Sequence, residues 1–218
     1  MDHSEKSELA IALGSLGADG ETQAILSPVL AERVLNFAAL KKPIDRRSAL
    51  IAFSFGNRRL PNGNVTPGPI NEALAQCVKG LFSRIEGRIF AQWEIAESLP
   101  VESKERPVES ILPILEEGTG SVRYLSTVGV LRGVLSKLSS ADLPIAIVAH
   151  HDHVVRCLRL ANLVGFKAAY IPDIVLPTQY DELSAQAWTK TRERYLFHEL
   201  HCRIELERNR LNGLGLPG

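Results

Sequence analysis

The chain has 218 residues, 45% of them hydrophobic, enough to bury one substantial core. Its 25 Lys plus Arg balance 25 Asp plus Glu, so no net field draws it to nucleic acid or to an anionic membrane, and any anion must be held by local groups. Cys77, Cys157 and Cys202 are odd in number and lie far apart inside helix-like segments, which reads as reduced thiols rather than a disulfide framework.

In chain order, the first residues are charged and the apolar patch Leu9 to Leu13 is too short for a signal-peptide core or a membrane span, so a soluble cytoplasmic protein is expected. Ser27-Pro28 reads as an N-cap and first-turn proline ahead of Val29, Leu30, Val34, Phe37 and Ala38, a helix stopped by Lys41-Lys42-Pro43. Residues 1–47 thus form a helical lead-in. Ala49 to Phe53 reads as a buried strand, and Gly56 to Pro69, rich in Gly, Asn and Pro, as a loop. A stripe of Ile70, Leu74, Val78, Leu81 and Ile85 predicts a helix, and Arg88 to Gln92 the next strand. Pro100 to Gly120 has no readable period. Val122 to Leu125 reads as a strand, with Val130, Val134, Leu135 and Leu138 on a following helix. Ile145 to Ala149, Val154 to Leu163 and Ala168 to Ile171 then spell strand, helix, strand. This alternation predicts a three-layer, mainly parallel α/β sheet in a single domain of residues 1–218. A long charged helix over 181–211 closes it, with Leu183, Trp188, Leu196, Leu200 and Ile204 as inward positions, packed across the sheet or against a partner.

The corner after Ile145–Ala149 carries the densest chemistry: His150, His151, Asp152, His153 and then Arg156. Open α/β sheets place ligands at such corners. With Asp152 as N-cap, His153 and Arg156 occupy the first helical turn and face a bound phosphate or carboxylate. A metal reading stays open through the imidazoles and Asp152, although adjacent His150 and His151 point to opposite sides of a strand end. So does a plain capped helix with solvated histidines. Arg58-Arg59, in the loop after the first strand, reads as a phosphate contact. Glu94 reads as a ribose ligand or a base and Trp93 as an adenine stack, against the alternative of a core Trp beside a helix-capping Glu.

Three other patterns are decoys. Gly213-Leu-Gly215-Leu-Pro-Gly218 spells a dinucleotide fingerprint but follows no strand and precedes no helix. His198 and His201 are three apart where a zinc-protease helix needs four, and Lys190, Arg192 and Arg194 alternate with polar residues as on a solvated face.

The run Ile147-Val-Ala-His-His-Asp-His153-Val-Val-Arg156, with Gly165 and Tyr170-Ile-Pro172 after it, resembles the late strand-helix-strand segment of the YdcF-like family (the SanA/ElyC group). His153 and Arg156 match that family's His and Arg, while Ala149 and His150 stand where it has Thr-Ser. Ala49 to Gly56 resembles its first strand and glycine turn, Pro67-Gly68 with Asn71 and Leu74 its Pro-Gly loop and helix, and Ser126-Thr127 its later Ser/Thr turn. Ala91-Gln92-Trp93-Glu94 replaces the family's Ser-Gly-Gly, and Gly129-Val130 its Glu-Asn. The resemblance covers about Ala49 to Pro172 and implies a Rossmann-like fold with a polar pocket at the strand ends. It also makes S-adenosylmethionine a candidate ligand; the membrane anchor of several members has no counterpart here.

Residue chemistry and resemblance together leave three functions open. The leading one is binding of a nucleotide-type or other anionic small molecule, S-adenosylmethionine among them, with group transfer and a transferase role as its catalytic form. His153, Arg156 and Glu94 would carry the chemistry, with Gly56, Asn57, Arg58, Gly68, Asn71, Gln92, Trp93, Ser126, Thr127, His150, His151 and Asp152 lining the site. The second is a phosphoester hydrolase using His153 with or without a divalent metal at His151 and Asp152. The third is a non-catalytic protein whose C-terminal helix is an interaction surface for a partner; separately, a homo-oligomer is left open.

Overall fold

The computed structural model describes residues 3–35, 39–100, 106–115, 122–123, 125–138, 144–166 and 168–216. Expectations for Phe37, Ala38 and much of 100–120 fall outside them. The chain divides into two compact units, Met1–Ala38 with Phe197–Pro217, and Ala39–Leu196, where the sequence reading had one domain.

The second unit is built on five strands, β1 (Ala49–Ala52), β4 (Ile89–Gln92), β5 (Val108–Ile111), β8 (Ile145–Val148) and β9 (Ala169–Tyr170). They lie in the order β5-β4-β1-β8-β9 and every pairing is parallel, with Leu50 against Ile89 and Ala49 against Ile145. β1 and β8 are buried along their whole length, which is why they read as unbroken apolar runs. From β1 the chain steps outward through β4 to β5, then returns to β8 on the other side and steps to β9. Right-handed crossovers therefore place α3 (Pro69–Gly80) and α4 (Trp93–Ser98), which pack together, opposite α5 (Thr127–Leu135) and α6 (Val154–Val164), which also pack together. The fold is an α/β Rossmann-like sheet. Its strand order reverses between β1 and β8, where the loops leaving the two strands diverge.

Two short antiparallel ribbons decorate the sheet, β2 (Arg58–Arg59) with β3 (Val65–Thr66) and β6 (Ile114–Leu115) with β7 (Val122–Arg123). β2 and β3 lie within the predicted loop 56–69, and β7 pairs outside the main sheet. β5 went unread because an edge strand needs few apolar residues: Val-Glu-Ser-Ile is only partly buried.

The first unit holds α1 (His3–Ser15), α2 (Gly20–Pro28) and most of α7 (Arg192–Leu211), with Leu13, Ala31, Val34 and Leu206 as its buried apolar residues. Ser27-Pro28 does not start a helix. Asp19 caps α2 by accepting from the Thr22 N–H at 2.8 Å, and directly after Pro28 the helix widens into a π-type turn over Val29–Leu35. Proline brings no N–H and crowds the carbonyl four residues back, so a continuing helix must loosen there. The lead-in is not helical to residue 47, since Lys41 bridges Ile171 in parallel fashion.

The C-terminal helix begins at Arg192, not Asp181. Residues 181–191 turn instead, because Asp181 accepts from the Leu183 N–H and its carbonyl from the Ser184 N–H. The inward positions are also corrected: Leu183, Trp188, Leu196, Leu200 and Ile204 are all exposed, whereas Tyr195, Glu199, Leu206 and Glu207 are buried.

Candidate functional site

The carboxyl ends of β1, β4 and β8 bring together most of the residues singled out in the sequence. Asn71, fully buried on α3, shapes the turn after β1. Its Oδ1 accepts from the Phe55 N–H at 2.9 Å and its Nδ2 donates to the carbonyls of Gly56 and Pro67. Gln92 likewise serves the turn, accepting from the Ser54 N–H at 2.9 Å. Both amides are thus scaffold for the glycine turn.

The His-rich corner after β8 divides its labour. His150 is buried and stacked on Phe55, with ring centroids 3.9 Å apart, and Tyr180 and Tyr195 pack around the pair. Its Nε2–H donates to the Gln179 carbonyl at 3.0 Å and its Nδ1 accepts from the Asp152 N–H at 3.2 Å. Burial lowers its pKa to about 4, so the ring is neutral with one tautomer set by its two partners. Exposed His151 lies 3.0 Å from the Asp152 carboxylate, which also accepts from the Tyr180 hydroxyl at 2.7 Å and the Arg192 Nε at 3.1 Å. Burial works to raise the Asp152 pKa, but these three hydrogen bonds outweigh it and hold the carboxyl at about 2. Asp152 is therefore not the cap of α6: His153 occupies that position without a side-chain cap bond, and the Asp152 carboxylate is turned to stronger donors.

His153 and Arg156 lie together, Nη2 to Nδ1 at 3.2 Å. A guanidinium can only donate, so Nδ1 accepts and the His153 proton sits on Nε2, 3.2 Å from the Cys157 sulfur. Arg156 reaches across to the Thr127 hydroxyl at 3.4 Å, while Ser126 caps α5 by accepting from the Gly129 N–H at 3.1 Å. Phe53, at the end of β1, meets the His153 ring edge-on at 6.2 Å.

A strap over residues 176–191, unforeseen in the sequence, crosses these strand ends. Its Pro177 carbonyl accepts from the His151 N–H, Asp181 grips Arg58 through two bonds of 2.7 and 2.8 Å, and the Ala185 N–H donates to the Asn57 carbonyl at 2.7 Å. Arg58, read as a phosphate contact, is held by this internal carboxylate. Gly56 has a left-handed φ of +71°, and a Cβ there would stand 2.7 Å from the hydroxyl oxygens of both Ser184 and Thr189. A Cβ on Gly68 would stand 3.4 Å from the Asp181 carboxylate. The strap thus covers both glycines.

Beyond β4 the situation is different. Glu94 is fully buried, its Oε1 lying 3.4 Å from the Asn57 amide, and its own backbone N–H and the Ser54 side chain also serve the carboxyl. Among the described residues, Glu94 Oε2 and the neighbouring Trp93 Nε1 are buried without a hydrogen-bond partner. Burial pushes the Glu94 carboxyl up, with its own backbone N–H, then Asn57 and Ser54, countering in part. An unmet hydrogen bond in a buried group costs about 1–3 kcal/mol, so each of these two atoms calls for a partner.

Among the described residues no group of three or more His, Cys, Asp or Glu side chains is arranged to hold a metal ion, and no helix is long and apolar enough to cross a membrane. No family model matches the chain, and no curated protein or solved structure matches it either. The site's own geometry therefore carries the functional argument. Sequence reading missed Tyr180, Asp181, Ser184, Thr189, Arg192, Cys157 and Ser54. Pro172 and Pro177 were the available signal that 172–180 is an extended crossing segment.

Proposed function

We propose that the Rossmann-like unit binds a nucleotide-type or other small molecule bearing a carboxylate or phosphate, with S-adenosylmethionine as the first candidate, at the carboxyl ends of β4, β1 and β8. The observation that carries this reading is the unpartnered pair Glu94 Oε2 and Trp93 Nε1. The place is the end of the second strand of an open parallel sheet, where an acidic side chain in dinucleotide folds receives ribose hydroxyls. A vicinal diol supplies a donor to Glu94 Oε2 and an acceptor for the indole N–H. Arg156 beside Thr127 takes the carboxylate or phosphate end. His153 acts as a positioning residue, since its Nδ1 faces Arg156 and its Nε2 faces Cys157. Group transfer on the bound molecule is the catalytic form of this reading.

The test is a thermal-shift series with S-adenosylmethionine, ADP and adenosine on the full chain, followed by calorimetry on Glu94→Gln. A ligand at a hundred times its Kd adds about 2.7 kcal/mol of stability, which is readily seen as a rise in Tm. Glu94→Gln is expected to weaken binding at least about tenfold, or 1.4 kcal/mol. Removing a buried ionisable group should also leave the unliganded protein at least as stable. The reading fails if none of the three ligands raises Tm, or if Glu94→Gln binds as the parent does.

A further inference from the structure

Helix α7 buries charged residues beside Tyr195 and Leu206 and leaves an apolar stripe exposed. Its buried side carries charge: Glu199 and Glu207 are each 3% exposed, Arg203 bridges Glu199 at 3.0 Å and donates to the Val34 carbonyl at 3.1 Å, and Arg210 and Arg33 both meet Glu207. Its exposed side carries an apolar stripe between charged residues, with Phe197 80% exposed, Leu196 and Ile204 44% and Leu200 36%. Phe197, Leu200 and Ile204 follow the 3-then-4 spacing of a coiled-coil seam. Scattered exposed leucines are ordinary, but a seam of this spacing on one helix face marks a surface that is covered in use.

We propose that this face pairs with the same face of a second copy, as two antiparallel α7 helices about a two-fold axis passing between Leu200 and His201. The charge pattern selects this axis. An isologous contact about that axis sets residue i opposite 401 − i, so Phe197 of each copy meets Ile204 of the other and the two Leu200 side chains flank the axis side by side, one residue out of register. Glu193 then faces Arg208 at both ends of the seam, and both are exposed on the helix that carries it. Centring the pair on Ile204 instead would lay Arg208 against Leu200. Within its own chain Arg208 makes an exposed contact with Glu205 at 3.5 Å, a weak competitor. A lipid surface fits the helix poorly: α7 carries five Arg and four Glu, without the basic excess of an interfacial helix.

One helix pair is a small interface, so a dissociation constant in roughly the micromolar range is expected. Sedimentation velocity on the full chain from about 1 to 100 µM brackets that range and should show monomer passing to dimer. Leu200→Glu should remain monomeric throughout with an unchanged circular dichroism spectrum. Glu193→Arg and Arg208→Glu should each weaken dimerisation about tenfold, and the two together should restore it. Leu200→Cys should give a disulfide-linked dimer on mild oxidation. A parent chain monomeric up to the top concentration overturns the proposal, whether or not it sediments with zwitterionic phospholipid vesicles. So does a dimer indifferent to Leu200→Glu, or a double charge swap that fails to recover.

Discussion

His150 shows how one buried side chain ties this site to pH. Its pKa is lowered to about 4 in the folded protein against an ordinary value of 6.5, chiefly by burial. The unfolded chain therefore binds the extra proton first as pH falls. The stability linked to the neutral ring is fully present above about pH 6.5 and is lost progressively as pH falls toward 4, by at most on the order of 3 kcal/mol. Asp152, held at about 2, adds a second loss only below the ordinary carboxylate range. Urea midpoints at pH 7.5, 6, 5 and 4.5 should fall steadily for the parent. For His150→Gln, which cannot take up the proton, the curve should start lower and be flatter across that window. Equal slopes for the two proteins would place the titrating group elsewhere. Glu94 is shifted in the opposite sense: a raised carboxyl pKa means that ionisation at neutral pH works against the fold unless a ligand compensates it.

At the scale of elements, legibility followed burial and locality. β1, β8, α3 and α6 were readable because each is set by its own residues: four-residue apolar runs covered on both faces, and apolar helical stripes, that of α6 ended by Gly165 in the left-handed conformation. The strap over 176–191 was not readable, since its path is set by partners far away in sequence, namely Asn57, Arg58, His150 and Asp152. The face of α7 was misread for a related reason: the ion pair of Glu207 with Arg33 and the hydrogen bond from Arg203 to the Val34 carbonyl turn charged residues inward against the hydropathy pattern. The convergence of His153 and Arg156 was legible from their spacing, but the partners that occupy His153 on both sides were not. The strap gives a direct expectation for Gly56→Ala. The added Cβ meets the Ser184 and Thr189 hydroxyls and must also hold a left-handed φ, so a loss of about 1–3 kcal/mol in chemical denaturation is expected. Hydrogen exchange should rise first in residues 176–191. A fully stable Gly56→Ala protein would mean that the strap does not rest on this turn.

At the scale of the whole molecule, connection rules carry the site into place. Right-handed crossovers that step first one way and then the other produce a strand order reversing between β1 and β8, and that reversal gathers the Phe53–Arg58 turn, Trp93-Glu94 and the His150–Arg156 corner on one edge of the sheet. The strap covers the middle of that edge, where Gly56 lies, while the unpartnered atoms of Trp93 and Glu94 remain at the β4 side. The account therefore stands on hydroxyl recognition by Glu94, and calorimetry with paired ligands tests it most directly. The adenosine ligand with the largest thermal shift should bind at least about tenfold more tightly than its 2′,3′-dideoxy counterpart, because the analogue leaves the buried carboxylate unsatisfied. Equal affinity for the two would contradict the assignment of Glu94 and Trp93 as the diol-binding pair.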